Sequence, residues 1–229
     1  MTGSVRGKIA RMATQITEMS VERTAIEGLL ICTLKQASDE RGAVREFFRA
    51  SSYAEALPGV TGWRQINVTE SRHGAVRGLH GEDMVKLVSC VAGQAFGVYL
   101  DARPDSASYG EVVTAQLSPG VQVLVPAGVC NGFQSLSPEG TQYLYCFTAE
   151  WQPGMAGVAY TPLDEGLGIE WPLPIDPDDP ASISAKDATA PRFSEQRSRE
   201  HRPDGQAGTG SERIGDPPSG RFDQASARR

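Results

Sequence analysis

No apolar run in this 229-residue sequence approaches about 18 residues, the length a helix needs to cross a bilayer. No membrane-spanning helix is therefore expected. The first twenty residues, MTGSVRGKIARMATQITEMS, are basic but lack a continuous apolar stretch and a small-residue cleavage site, so no secretory signal is expected either. Cysteine is scarce. Cys32, Cys90, Cys130 and Cys146 show no CxxC spacing and read as buried free thiols of a cytoplasmic protein rather than disulfides or zinc ligands. Histidine is scarcer still, with three in the chain and only His73 and His80 in its central part, too few imidazoles for the usual transition-metal centre. Basic charge is also thin where the apolar residues are. Residues 24–193 hold 11 basic and 20 acidic side chains, so this part is a poor nucleic-acid binder. An anionic ligand would have to find a local cluster of positive charge inside a negative surround.

What is present points to an all-β chain. Hydrophobic residues make up 39% of the sequence, and 25 Gly with 15 Pro supply many turns. GLLICTLKQ (27–35) reads as a first strand and Asp39-Glu40-Arg41-Gly42 as a turn. Residues 50–59 read as a short helix or irregular segment. From Trp63 to Thr69 the residues alternate, with Trp63, Gln65, Asn67 and Thr69 on one face and Ile66 and Val68 on the other. KLVSCVA and AFGVYLDA, separated by Gly93-Gln94, look like a hairpin, and EVVTAQL, VQVLVP and TQYLYCFTA follow at short spacing. Strand signals every 8–12 residues or so, with no helical periodicity between them, predict a β-sandwich or jelly roll. The Pro- and Gly-rich stretch after Trp151 is too apolar for a linker and is expected to wrap the barrel. Residues 1–23 read as an N-terminal tail and 24–193 as the folded domain. Residues 194–229, nearly free of apolar side chains, read as a disordered C-terminal tail.

The stretch RGLHGEDMVKLV (77–88) holds the residue with the clearest chemistry. An imidazole titrates near neutrality and is the natural general base, and His80 stands between Arg77 and Lys86. Three such groups within ten residues suggest an anion to satisfy them. The competing reading is surface salt bridges with Glu82 and Asp83. His80-Gly81-Glu82 also matches half of a cupin metal signature, but Asn131 stands where the remaining ligand would be, so no metal is expected. Tyr145 lies in YLYCF, sharing a face with Tyr143 while Leu144 and Cys146 point the other way. It is either a proton donor or a core tyrosine. Asp187 could orient His80, as a histidine base requires of a carboxylate, or could cap a helix. Trp151 offers a stacking surface for a flat ring or packs on the outside.

DERG (39–42) with Glu46, QIN (65–67), RGLH (77–80), KLV (86–88), LDAR (100–103), SYGE (108–111), VPAGVCNGF (125–133), YLYCFTAEW (143–151), LGIEWP (167–172) and SAKDATAP (184–191) occur in that order. Together they cover residues 27–192 nearly continuously and resemble the dTDP-4-dehydrorhamnose 3,5-epimerase family. The resemblance implies an all-β, cupin-type double-stranded β-helix (jelly roll) with short peripheral helices. It implies action on a dTDP-linked 4-keto-6-deoxyhexose without cofactor or metal, and a homodimer formed through exchanged strands. By the same resemblance His80 would be the base, Asp187 its partner, Lys86 the stabiliser of the enolate oxygen and Tyr145 the acid on the opposite face. Arg41, Glu46, Gln65, Asn67, Arg77 and Lys186 would line the substrate or its diphosphate, with Asn131 and Trp151 also at the site.

The chain departs from the family pattern at several positions. Asn131 replaces a histidine, Trp151 a stacking tyrosine, Ala156 a glutamate and Gly97 an aspartate, and the segment between His80 and Lys86 is about four residues shorter than usual. These departures keep open a 3-epimerase acting on a related sugar and a non-catalytic sugar-nucleotide-binding cupin. A 3,4-ketoisomerase fits the RGLH and SAKD motifs less well.

Overall fold

Short runs of β-branched and aromatic residues, cut by Gly and Pro, favour extended backbone. The computed structural model, which describes residues 14–55 and 62–200, consists mainly of strands joined by turns and loops. In chain order the strands are β1 (Gln15–Thr17), β2 (Ser20–Arg23), β3 (Leu30–Thr33), β4 (Gln36–Asp39), β5 (Gly42–Arg45), β6 (Gln65–Ser71) and β7 (Val76–Glu82). They continue with β8 (Lys86–Ala92), β9 (Ala95–Asp101), β10 (Val112–Leu117), β11 (Val121–Val125), β12 (Val129–Ser135), β13 (Thr141–Phe147) and β14 (Gly157–Ala159). Three short helices are described, α1 (Ala50–Tyr53), α2 (Ala185–Ala188) and α3 (Phe193–Glu200).

The strands form a six-stranded sheet in the order β2-β3-β11-β8-β13-β6, a five-stranded sheet in the order β10-β9-β12-β7-β14, and a small sheet β1-β4-β5. Pairing between these strands is antiparallel throughout. The two large sheets face each other across a core. Val88, Cys90, Val123, Val125 and Tyr143 come from one side; Ala95, Tyr99, Leu117, Val129 and Phe133 come from the other. This is the jelly roll expected from the spacing of the strand signals.

Strands near the middle of each sheet are buried on both faces. Leu87, Leu124 and Cys146 turn away from the main core and are covered by Phe47, Phe48, Trp63 and Tyr53. Leu79, Val98, Leu100 and Cys130 do the same on the five-stranded sheet, under Tyr160, Trp171 and Phe193. The apolar chain after Trp151 thus wraps the barrel as its composition predicts. All four cysteines are free and buried. Among the described residues no helix is long and apolar enough to cross a membrane.

Three expectations need correction. β8 and β9 do not form a hairpin: β8 pairs with β11 and β13, whereas β9 pairs with β10 and β12 in the opposite sheet. The chain turns a corner between sheets at Gly93, which has φ +77° and where a Cβ would lie 2.5 Å from the Gly140 carbonyl oxygen. Residues 14–23 are not an unstructured tail, because β1 pairs with β4 and β2 with β3; residues 1–13 lie outside those described. The chain is ordered past residue 193, where α3 runs from Phe193, buried at its start, to Glu200. The remainder of the expected C-terminal tail, 201–229, lies outside the described residues.

One departure from the family pattern has a packing explanation. A Cβ on Gly97 would lie 2.8 Å from the Tyr99 hydroxyl on the same face of β9. The tyrosine occupies the space a side chain at 97 would need.

A polar knot closes the end of β9. Buried Asp101 accepts hydrogen bonds from the Arg103 guanidinium (2.7 and 2.8 Å), the Ser106 hydroxyl (2.6 Å) and the Ser108 hydroxyl (2.6 Å). Burial alone would raise its pKa, but these donors together hold it down at about 2. A carboxyl depressed from its ordinary value stabilises the fold above that ordinary value, and the contribution fades as pH falls towards the folded value. Asp101→Asn is expected to cost about 2 kcal/mol at pH 7. Chemical denaturation should show the gap between wild type and variant narrowing as pH falls from about 4 to about 2.

Candidate active site

The site residues are carried by strands of both sheets. In β7 Val76, Gly78 and Leu79 are buried, and a register shift against β12 between Arg77 and His80 breaks the alternation, so that both of these residues line a cavity beside β6 and β13. Gly78 is required at the closest approach to β12: it has φ +117°, and a Cβ there would lie 2.5 Å from the Gly132 α-carbon. The cavity, about 670 Å³, is bounded by β6, β7 and β13, the 151–159 segment and the start of α2. Two smaller recesses share Arg77, His80 and Tyr145 with it.

His80 and Asp187, 107 residues apart, meet here, with His80 Nε2 2.8 Å from Asp187 Oδ1. Asp187 is placed by its own helix start. Ser184 caps α2, its hydroxyl accepting from the Asp187 backbone N–H at 3.1 Å. The parallel bridge between Val76 and Ile183 brings that helix alongside β7. Asp187 is buried, which by itself would raise its pKa. The hydrogen bond and charge of His80, the Gly78 N–H and the Ser184 hydroxyl outweigh burial and hold it below the usual carboxylate value. An ionised carboxylate at Nε2 favours the tautomer with a proton on that nitrogen, leaving Nδ1 able to accept one.

Lys86, only 1% exposed, donates from Nζ to the His80 carbonyl at 3.1 Å and to Glu82 Oε2 at 2.5 Å. The competing surface-salt-bridge reading is therefore half met: the Lys86–Glu82 pair exists, but Lys86 is buried and both residues line the recess beside His80. Tyr145 reaches the same cavity, and Leu144 and Cys146 turn to the opposite face. Burial pushes its phenol well above the ordinary value, against the lowering effects of the Arg77 charge and the Thr69 hydroxyl. At neutral pH Tyr145 is a protonated donor. Arg77 Nε is held by the Ser71 hydroxyl at 2.9 Å.

The remaining expected site residues divide into two groups. Asn67, Trp151 and Lys186 line the large cavity, and Asn131 lines the small recess. Gln65 sits at the rim, donating to the Asn67 side chain at 3.1 Å and accepting from the Trp151 backbone N–H at 2.8 Å. Ile66 and Val68, on the other face of β6, are 57% and 58% exposed, so the polar face of that strand is the one that meets the site. Arg41 and Glu46 do not line these cavities. Arg41 is paired with Asp39 at the β4–β5 turn, and Glu46 with Arg49. Sequence reasoning missed Ser184 as the group that presents Asp187, and treated Glu82 as a surface charge. Serine three residues before an aspartate is a helix-start signal that could have found the first. Nothing in the spacing distinguishes a half-buried glutamate paired with a buried lysine from an exposed one.

An antiparallel jelly roll with a carboxylate-paired histidine, a buried lysine and a high-pKa phenol around a cavity and the recess beside it has the architecture of the cupin barrels. The dTDP-4-dehydrorhamnose 3,5-epimerase family model matches residues 23–195, and the chain belongs to that family, which makes it an isomerase. It is 36% identical over 179 residues to the dTDP-4-dehydrorhamnose 3,5-epimerase of Salmonella typhimurium, covering 76% of this chain and 94% of that one. It is 32% identical over 160 residues to a dTDP-4-dehydro-6-deoxyglucose 3-epimerase of Streptomyces bikiniensis, covering 67% and 79%. Among solved structures it resembles dTDP-6-deoxy-D-glucose-3,5-epimerase from Legionella pneumophila in complex with dTDP-4-keto-L-rhamnose. That match has a TM-score of 0.68 and 35% identity, over 76% of this chain and 93% of that one.

His80→Asn removes the group that opposes burial at Asp187. The Asp187 carboxyl is then expected to titrate at higher pH than in the wild type, measurable by carbon-13 NMR of labelled aspartate. An unchanged midpoint would mean that the imidazole does not hold the carboxylate down.

Proposed function

We propose that this chain is a cytoplasmic dTDP-4-dehydro-6-deoxyglucose 3,5-epimerase, giving dTDP-4-dehydrorhamnose. The observation that carries the proposal is the convergence of the His80–Asp187 pair, Lys86 and Tyr145 on one connected cavity. The substrate ketone at C4 acidifies the hydrogens at C3 and C5. His80 Nδ1 takes one of them as Asp187 stabilises the imidazolium that forms. The electron pair moves onto the C4 oxygen, where the Lys86 ammonium meets the developing charge. Tyr145 then returns a proton to carbon from the opposite face, which inverts the centre. Arg77 and Lys186 supply positive charge for the diphosphate, and Trp151, 38% exposed at the cavity edge, supplies a stacking face for thymine. The four free buried cysteines support a reducing compartment.

We also propose a homodimer. Val44 is 77% exposed, and Ile66 (57%) and Val68 (58%) are exposed on the outward face of β6. Arg41 and Glu46 lie on or beside the small sheet, outside their own chain's cavity. Strand exchange between two copies would bring them to the partner's site and give both observations one cause.

Proton NMR with dTDP-4-keto-6-deoxyglucose in heavy water tests the reaction. Deuterium is expected at both C3 and C5. Exchange at C3 alone would replace the proposal with a 3-epimerase, the reading favoured by the short 81–85 segment and by the Streptomyces relative. Binding of dTDP without exchange of this or related sugars would leave a non-catalytic binding protein. His80→Asn should lower exchange by at least about 10³-fold, and Asp187→Asn by about 10²- to 10⁴-fold. Tyr145→Phe should retain exchange on the histidine face but lose inversion. For the dimer, mixing inactive Arg41→Ala with inactive His80→Asn protein should restore turnover that neither has alone; no restoration would mean that each chain builds its site unaided.

A further inference from the structure

The ion pair with Lys86 leaves part of the Glu82 carboxylate open. Glu82 ends β7, and its backbone carbonyl accepts from the Gly128 N–H at 2.9 Å while its residue pairs with Gly157 of β14. Its backbone is therefore fixed on both sides. As a counter-charge to buried Lys86 it has an evident role, since an unpaired buried ammonium is costly. That role uses one carboxylate oxygen: Oε2 takes the Lys86 hydrogen bond at 2.5 Å, and Oε1 makes no hydrogen bond among the described residues. On the other side of the pair, an ammonium has three N–H donors. Two are used, by Glu82 and by the His80 carbonyl. An acceptor and a donor with open valences therefore stand side by side in a recess of about 50 Å³ that also holds His80, Asn131 and Tyr145.

That pairing matches one chemical pattern, a hydroxyl and a carbonyl on adjacent carbons. The hydroxyl donates to the carboxylate while the carbonyl oxygen accepts from the ammonium. In a 4-keto-6-deoxyhexose only one hydroxyl adjoins the ketone, at C3, because C5 carries the ring oxygen and the methyl group. Removal of the C3 proton flattens C3 and C4, and ring closure then holds the two oxygens on the same side of the double bond. The acceptor–donor pair suits this planar enediolate better than the puckered substrate, so its effect falls on the chemical step.

We propose that Glu82 is a specificity-determining residue that accepts a hydrogen bond from the C3 hydroxyl while Lys86 holds the adjacent ketone oxygen, so that the chain selects α-hydroxyketone sugars over their 3-deoxy counterparts. The inference rests on the reaction proposed above and deepens it. A site built to hydrogen-bond a hydroxyl discriminates strongly against an analogue lacking it, because its own polar group is left unpaired.

The test compares deuterium incorporation at C3 of dTDP-4-keto-6-deoxyglucose and of its 3-deoxy analogue, with wild-type protein, Glu82→Met and Glu82→Gln. Wild type is expected to favour the hydroxylated sugar by about 100-fold or more in kcat/KM. Glu82→Met should shrink that ratio at least about tenfold, with the loss in kcat for the hydroxylated sugar. Glu82→Gln keeps the size and one oxygen for Lys86, and its ratio should fall between the two. Equal exchange of both sugars by wild type overturns the inference and leaves the epimerase reading standing, as does an undiminished ratio in the folded variants. Exchange of neither sugar by wild type overturns the epimerase reading and this inference with it. Should Glu82→Met fail to fold, the wild-type and Glu82→Gln ratios decide.

Discussion

The hydrogen bond between His80 and Asp187 is the contact on which the site depends. It joins the middle of the barrel to a helix that arrives only after the chain has wrapped the five-stranded sheet. The wrap is held by apolar burial of Tyr160, Trp171 and Phe193, and the helix start is set by the Ser184 cap and the Val76–Ile183 bridge. Packing energy spent far from the site thus fixes the tautomer of the imidazole. Without its histidine the buried Asp187 carboxylate would lose the largest of the influences that hold it ionised.

The same economy of charge runs through the cavity. The domain is acidic as a whole, yet the cavity gathers Arg77, Lys86 and Lys186 in one place. Lys86 is tolerated at 1% exposure because the His80 carbonyl and Glu82 accept its hydrogen bonds. Burial raises Tyr145 and keeps it protonated, whereas hydrogen bonds keep Asp187 ionised despite burial. One cavity therefore maintains a proton donor and a proton acceptor at the same pH.

Much of the architecture was legible in the chain. Strand positions followed from β-branched runs cut by Gly and Pro. The alternation of β6 could be read from the sequence, but that its polar face meets the site and its apolar face the surface came only from the structure. What went wrong concerned partners. KLVSCVA and AFGVYLDA look like a hairpin, but a two-residue Gly-containing turn can equally pass a chain from one sheet to the other. Residues 14–23 have no strong strand signal of their own; they are ordered by pairing with β3 and β4. Arg41 and Glu46 carry a family pattern yet stand away from the cavity.

Alternation, turn chemistry and ordered motifs are local properties of the chain, so they suffice for the class of fold and the family and mark the candidate site residues. Only the tertiary structure decided which of those groups meet. It joined His80 to Asp187 and matched Lys86 with Glu82 in a buried recess, and it set Gly97 beneath the Tyr99 hydroxyl. The physical reason is that burial, and with it the protonation state and value of a charge, depends on what the rest of the chain packs around a residue.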